Sequence, residues 1–182
     1  MNNNSIDIKR MTTNGILIAI GALLHQFTPP IPLFGIPMQP DFSLVMLFTI
    51  MIYNREYKTN LICGIAVGIF AAATTKMGAP GQIANVVDKF ITTNIMFLVI
   101  SALRDRISIN KLIAVILPVG TAVSGTIFVS VAVLVGGIKA GAFMGMIATV
   151  VLPAAVINTI LGFVLFKIVE RTAVATGAYF IN

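Results

Sequence analysis

The stretch DFSLVMLFTIMIYNREYK, residues 41–58, decides the fold of this chain. Its first part, residues 41–53, is almost entirely apolar, and the charged segment NREYK follows it. Pro37 and Pro40 stand just before Asp41 and would interrupt a helix that extended further back. A helix that spans a membrane needs about 20 apolar residues, so this run is short for a span and its role depends on the rest of the sequence.

The composition of the whole chain narrows its class. Of its 182 residues, 58% are hydrophobic and only 10% are charged, and the mean hydropathy is +1.00. Soluble domains average about 45–50% apolar and about 25% charged residues. The shortage of charge excludes a soluble globular enzyme and a disordered chain, because either needs more charged side chains on its surface. We therefore predict an all-α integral membrane protein with a single domain over residues 1–182.

Apolar runs recur along the chain. Six candidate spans lie at residues 11–27, 41–53, 59–75, 82–103, 111–135 and 141–169. The second is the weakest because it is short. The last is the longest, and Pro153 is expected to kink it.

The positions of the twelve lysine and arginine residues test this number of spans. If all six spans cross and the N-terminus is cytoplasmic, nine of the twelve lie on the cytoplasmic side. The nine are Lys9, Arg10, Arg55, Lys58, Arg104, Arg106, Lys111, Lys167 and Arg171. Only Lys76, Lys89 and Lys139 are left for the outer side or the membrane.

A topology with only five spans reverses this bias. Without residues 41–53 as a span, every later loop changes sides, and most of the basic residues move outside. Cytoplasmic loops of membrane proteins collect Lys and Arg, so the charges favour a bundle of six transmembrane helices with both termini in the cytoplasm. The same topology accounts for the net charge of +6, and nucleic acid is not predicted as a partner.

The loop between the first two spans has an unusual composition. Residues 28–40 read TPPIPLFGIPMQP, with five prolines and several large apolar side chains. Two interpretations remain open: the loop packs against the outer ends of the helices, or it forms a lid over an outward-facing pocket. The residues of such a gating loop are Pro29, Pro30, Phe34 and Pro37.

The sequence offers little for catalysis. It has no phosphate-binding loop of the Gly-x-x-x-x-Gly-Lys-Ser/Thr kind, so ATP hydrolysis would have to come from partner subunits. No His, Cys or acidic cluster has metal-ligand spacing, and Cys63 is the only cysteine. The only histidine, His25, is either an interfacial polar residue or part of an outer pocket. We predict a protein that is not an enzyme and that has no cofactor or metal.

Residues 80–96, PGQIANVVDKFITTNIM, place polar groups inside a span. At 100° per residue Gln82, Asn85 and Lys89 share one helix face, with Asp88 on its flank. A polar stripe on a spanning helix faces the protein interior or a cavity. Adjacent residues point apart, so Asp88 and Lys89 are predicted not to pair with each other. Either they pair elsewhere in the bundle as structural charges, or they bind a zwitterionic ligand.

Other residues are candidates for this site or for contact with a partner. Asp41 opens the second span and Asn158 lies in the sixth, where each has a structural explanation as well as a ligand-binding one. Four phenylalanines could supply aromatic walls, although packing in the core or against lipid is the favoured explanation for each: Phe34, Phe42, Phe128 and Phe143. A stripe of small residues on the first span allows close approach of another helix or of a partner subunit: Gly15, Ala19 and Ala22.

Three segments of the sequence resemble a known family. PGQIANVVDK at 80–89, TAVSGTIFVSVAVL at 121–134 and VLPAAVINT at 151–159 resemble the bacterial tryptophan transporter family, as does the Pro40–Asp41 pair. That family is similar to the substrate-binding S components of energy-coupling factor (ECF) transporters, which are six-helix proteins with both ends in the cytoplasm.

The resemblance implies a function and a location. The chain would be a multi-pass protein of the bacterial cell membrane, surrounded by lipid. It would capture tryptophan under the first outer loop and topple in the membrane to release it. The energy would come from partners, an ECF transmembrane subunit and two ATPase subunits, and Gly15, Ala19 and Ala22 are the nearest match to a docking patch.

The resemblance also implies roles for the polar residues. Asp88 or Asp41 would meet the ammonium group of tryptophan, and Lys89 its carboxylate. Hydrogen bonds to the ligand would come from Gln82, Asn85 and Asn158. Two alternatives remain: the same scaffold carries a different vitamin or aromatic nutrient, or the protein is a membrane interaction subunit without a ligand.

Overall fold

A computed structural model describes residues 3–29, 31–33, 36–137 and 141–177, with only the backbone described for residues 3–7, 31–33 and 36–38. Six helices make up most of this part of the chain. They are α1 (Asn3–Phe27), α2 (Phe42–Tyr53), α3 (Tyr57–Thr74), α4 (Gly78–Leu103), α5 (Ile109–Gly136) and α6 (Ala142–Thr176). Each corresponds to one of the six candidate spans.

Length and hydropathy support membrane crossing for most of these helices. Among the described residues, the four helices α3 to α6 are long and apolar enough to cross a membrane. Helix α2 is apolar but has only 12 residues, and α1 is not among the four. The six-helix prediction thus agrees with the number of helices, while the orientation of the termini stays a prediction.

Helix α2 lies at the centre of the bundle. All of its residues from Ser43 to Ile52 are buried, because the other helices surround it on every side. A helix that is apolar all round belongs in such a position. Neighbouring helices approach it closely through glycine: a Cβ atom at Gly120 would overlap the ring of Phe48, and one at Gly162 would lie 2.9 Å from Val45 Cγ2. The residues that decided the fold in the sequence therefore form its core.

Helix α6 contains a π-helical turn at Ile147–Val151. The backbone N–H of Leu152 bonds to the carbonyl of Ile147, five residues back, and Pro153 follows. Proline cannot donate a backbone hydrogen bond, and its ring crowds the preceding turn. The disruption predicted at Pro153 therefore takes the form of a wider turn just before it.

The proline-rich loop contains a short hairpin that the sequence did not predict. Strands β1 (Ile31–Leu33) and β2 (Ile36–Met38) are antiparallel, and Pro32 faces Pro37. Strand β2 contacts the π turn of α6. In a two-stranded hairpin a proline nitrogen can face outward without breaking a ladder hydrogen bond. Of the predicted gating residues, Pro29 is exposed and Pro37 lies in β2, while Pro30 and Phe34 lie outside the described residues.

Polar groups tie the loops together at the end of the bundle opposite the hairpin. Arg55 and Asp105 form an exposed ion pair of 2.7 Å between the α2–α3 and α4–α5 loops. The hydrogen bond from Arg55 holds the pKa of Asp105 below its ordinary value. Arg104 donates to the carbonyls of Met51, at 2.5 Å, and Asn54, at 3.3 Å. This end of α2 is therefore closed by hydrogen-bonded side chains.

Candidate functional site

A cavity of about 390 Å³ lies at the hairpin end of the bundle, and all six helices contribute to its wall. Its polar lining residues are His25, Gln26, Gln39, Asp41, Thr74, Thr75, Lys76, Asn85, Asp88, Lys89, Thr121, Ser124 and Asn158. Its other lining residues are Leu44, Ala71, Met77, Gly125, Phe128, Val129, Val150, Val151 and Ala154. The volume falls within the range of about 300–1,000 Å³ that is usual for small-molecule sites.

A buried lysine between two carboxylates forms the polar centre of the cavity. The Nζ of Lys89 lies 2.7 Å from Asp41 Oδ2 and 2.8 Å from Asp88 Oδ2, and it donates to Ser124 Oγ at 3.2 Å. The side chains of Lys89 and Asp88 are only 2% and 1% exposed. An ammonium group has three donors, and these three contacts use all of them.

The pairing of Asp88 with Lys89 corrects the prediction that adjacent charges on α4 point apart. The two Cβ atoms do leave the helix in different directions, as the spacing of 100° requires. The four-carbon stem of Lys89 is long enough to bring its ammonium group back to its neighbour, 2.8 Å from Asp88 Oδ2. The helical angle fixes the direction of the Cα–Cβ bond, but it does not fix the position of the terminal group of a long side chain.

The carboxylate of Asp88 is held from two helices. Thr92, one turn further along α4, donates to Asp88 Oδ1 at 2.8 Å, and Ser124 of α5 donates to Asp88 Oδ2 at 2.8 Å. With Lys89, these contacts give the buried carboxylate three hydrogen-bond partners. A buried charge is tolerated when it is paired and hydrogen-bonded in this way.

Asp41 combines a structural contact with access to the cavity. Its Oδ1 accepts hydrogen bonds from the backbone N–H of Leu44, at 3.0 Å, and from the hydroxyl of Ser43, at 2.6 Å, which caps the first turn of α2. Its backbone N–H donates to Asn158 Oδ1 at 2.9 Å, which joins α2 to α6. The Asp41 side chain is 23% exposed, so it is the more accessible of the two carboxylates.

The structure brings five of the six predicted substrate-binding residues to one cavity. They are Asp41, Asn85, Asp88, Lys89 and Asn158. Gln82 is not among them: it is exposed and lines a separate shallow pocket with Ala72 and Ile83. It shares a helix face with Lys89, as predicted, but it lies in the first turns of α4, where its side chain is exposed.

Several residues that line the cavity were not among the predicted site residues. Thr121 and Ser124 are three residues apart on an apolar helix, and this spacing could have indicated a polar face toward Asp88. Lys76 stood out only as a basic residue on the predicted outer side. Of the four predicted aromatic wall residues, Phe128 lines the cavity. Phe42 and Phe143 do not line it, and Phe34 lies outside the described residues.

His25 holds the entrance side of the site in place. Its Nδ1 lies 3.0 Å from the carbonyl oxygen of Pro40 and 4.0 Å from Asp41 Oδ1. Gln39, at the base of the hairpin, donates to the carbonyl of His25 and to that of Thr28, the latter at 3.2 Å. The end of α1, the base of the hairpin and the start of α2 are thus connected beside the cavity.

The charged cluster at the centre of the site contains one carboxylate more than it has cations. As ionised groups, Asp41, Asp88 and Lys89 sum to one negative charge. In the described part of the chain, no group of three or more His, Cys, Asp or Glu side chains could hold a metal ion. A carboxylate with access to an enclosed cavity can accept the ammonium group of a small molecule.

The predicted docking stripe on α1 lies partly on the surface. Gly15 and Ala19 are exposed and Ala22 is half-buried. Apart from the adjoining backbone of α1 itself, no atom of the described residues lies within 4 Å of a Cβ built at Gly15. This part of α1 is therefore open on the side that does not pack against α2.

Comparison with known proteins gives a family match and several relatives. The family model described as Tryptophan transporter TrpP matches residues 7–173. A probable tryptophan transport protein of Clostridium perfringens is 43% identical over 173 residues, covering 90% of this chain and 92% of the relative. Proteins of the same description from Clostridium acetobutylicum and Bacillus subtilis are 40% and 37% identical, covering 92% and 89% of this chain and 95% and 91% of the relatives. No solved structure matches.

Proposed function

Since this chain belongs to the tryptophan transporter family TrpP, we propose that its cavity binds tryptophan and that the protein carries this amino acid into the cell. Membership of the family makes it a transport protein and not an enzyme. Its long apolar helices make it a multi-pass protein of the bacterial membrane.

The observation that carries the proposal is the Asp41–Lys89–Asp88 cluster in the wall of a cavity that has both polar and apolar sides. Charges within the hydrocarbon region are costly, so they mark functional sites by default. A cluster made only for packing would need no open space beside it. Here the most accessible member, Asp41, lies on a cavity large enough for a small organic molecule.

Tryptophan suits both halves of this cavity. Its ammonium group would bind the carboxylate of Asp41, and its indole would pack on the apolar wall formed by Phe128 and Val129 of α5 and Val151 of α6. The amide nitrogen of Asn85 donates to the carbonyl of Gly81 at 2.9 Å, and its amide oxygen would accept the indole N–H.

The hairpin would act as the gate of this site. Its base carries Gln39, which lines the cavity, and β2 contacts the π turn that contributes Val150 and Val151 to the wall. A movement of the hairpin would therefore change the cavity directly. Two prolines in its strands make such an element stiff, so it would move as a unit about its base.

For the energy of uptake, we propose the S-component role in an ECF-type importer. The sequence contains no phosphate-binding loop, which leaves ATP hydrolysis to two partner ATPases and coupling to a partner transmembrane subunit. The open stripe on α1, with Gly15 and Ala19 at the surface and Ala22 beside them, would receive that transmembrane subunit. Both termini would lie in the cytoplasm, where the basic loops are also expected.

Tryptophan binding can be measured directly because the chain contains no tryptophan of its own. Excitation at the red edge of indole absorption should report bound ligand with almost no protein background. We expect saturable binding at one tryptophan per protein, with emission shifted to the blue as the indole leaves water. Stabilisation of the purified protein by another nutrient but not by tryptophan would favour the same scaffold with a different ligand. Binding of no small molecule at all would favour an interaction subunit.

The S-component role is tested by uptake of labelled tryptophan into cells that lack their own tryptophan carriers. We expect uptake when an ECF module is produced with the chain, and little when the chain is produced alone. Ala19→Leu should reduce uptake and leave binding unchanged, because it fills the open stripe. Ala114→Leu, at an exposed position of α5, is the matched control. Equal uptake with and without the module would mean that the protein works alone.

A further inference from the structure

Lys89 has no hydrogen-bond donor left for a ligand. Its ammonium group is already bound to Asp41 Oδ2, Asp88 Oδ2 and Ser124 Oγ, at 2.7, 2.8 and 3.2 Å. To bind a carboxylate, it would have to release one of two buried carboxylates, which would then be left without their counterion. The carboxylate of an amino acid therefore needs another cation.

Lys76 is the other lysine in the lining of the cavity. It lies between α3 and α4, next to Thr74 and Thr75, which also line the cavity. It is exposed, so its ammonium group can stay in contact with water beside the cavity. Within the described residues, no hydrogen bond or ion pair occupies this group.

We propose that Lys76 binds the carboxylate of the amino acid at the mouth of the cavity, and that Lys89 serves as the fixed counterion that holds Asp41 and Asp88 in place. This inference rests on the proposed function and deepens it. Asp41 then selects for the ammonium group and Lys76 for the carboxylate. Both side chains line one cavity of about 390 Å³, so the proposal assigns the two charged groups of one amino acid to the same cavity.

In this arrangement each charged group of the ligand has its own partner, so analogues that lack one group test the two contacts one at a time. Tryptamine has the indole and the ammonium group but no carboxylate, so it makes every proposed contact except the one with Lys76. Indole-3-propionate has no ammonium group and would meet the carboxylates of the cluster without a compensating charge. We therefore expect tryptophan to bind best, tryptamine about tenfold more weakly, and indole-3-propionate not measurably.

The test measures the Kd of tryptophan and of tryptamine for the purified protein and for Lys76→Gln. The variant should lose about tenfold or more in affinity for tryptophan and stay within about twofold for tryptamine, so that the preference disappears. Lys76→Arg, which keeps the charge, should retain it. Lys58→Gln, which removes an exposed lysine at the opposite end of the bundle, should change neither Kd.

The outcomes separate this inference from the proposed function. If the unchanged protein binds neither indole ligand, the proposed function fails and takes the inference with it. If it binds tryptophan but Lys76→Gln weakens both ligands equally or neither, only the role of Lys76 is wrong. A retained preference for tryptophan in Lys76→Gln would likewise overturn it.

Discussion

Replacement of Asp41 by asparagine should weaken tryptophan binding by about 100-fold or more. The carboxylate of Asp41 is the accessible acceptor for the ligand's ammonium group, and loss of one partner from an enclosed charge pair costs about 2–5 kcal/mol. Asparagine is as good an N-cap as aspartate, so the hydrogen bond to the backbone N–H of Leu44 can be kept and α2 can begin as before. Binding is measured by indole fluorescence as described above.

The control for this variant is Asp105→Asn. It removes an equal charge from an exposed carboxylate that pairs with Arg55 at the opposite end of the bundle. This control should bind tryptophan as the unchanged protein does. An affinity for Asp41→Asn within about threefold of that of the unchanged protein would show that Asp41 does not hold the ammonium group.

Replacement of Lys89 by methionine should destabilise the protein by about 3–5 kcal/mol. Methionine fills a similar volume, but it leaves the buried carboxylate of Asp88 with no counterion and Asp41 with one partner fewer. Breaking a buried ion pair on one side costs about this much, because the remaining charge stays desolvated. The measurement is thermal or denaturant unfolding of the purified protein in detergent.

A second substitution tests whether the uncompensated charge causes the loss of stability in Lys89→Met. In Lys89→Met combined with Asp88→Asn, the fully buried unpaired charge is gone, while Thr92 can still donate to the amide oxygen and Ser124 can accept from the amide nitrogen. This double variant should regain most of the lost stability. Lys58→Met, at an exposed lysine, should have no effect. If the double variant is no more stable than Lys89→Met alone, the loss does not come from an uncompensated charge.

The positions of the helices could be predicted from the sequence because membrane helices leave strong signals. The short run at residues 41–53 was the weakest of the six, and the placement of basic residues was enough to retain it as the helix now seen as α2. The hairpin could not be predicted, because three-residue strands are too short for an alternating pattern. The π turn depends on how α6 accommodates Pro153, which leaves no periodic mark in the sequence.

The sequence allowed prediction of those site residues that helical spacing places on one face, and not of the contacts that depend on side-chain conformation or on tertiary structure. Helical spacing correctly placed Asn85 and Lys89 on the face that lines the cavity, but it could not show that Gln82 of the same face is exposed outside that cavity. It also missed the Lys89–Asp88 contact, which depends on the conformation of a long side chain. Residues of the surrounding loops, such as Gln39, join the cavity through tertiary structure alone.

The shortness of α2 has a consequence for the path of the solute. Its 12 residues give a rod of about 18 Å, against about 30 Å of hydrocarbon in a bilayer. Asp41 caps this rod on the cavity side, and Arg104 bonds to its last carbonyls on the other. A molecule bound beside Asp41 at the proposed site would therefore have little more than the length of one short helix left to pass. Every residue of α2 from Ser43 to Ile52 is buried among its neighbours, so passage would require α2 or the helices around it to move.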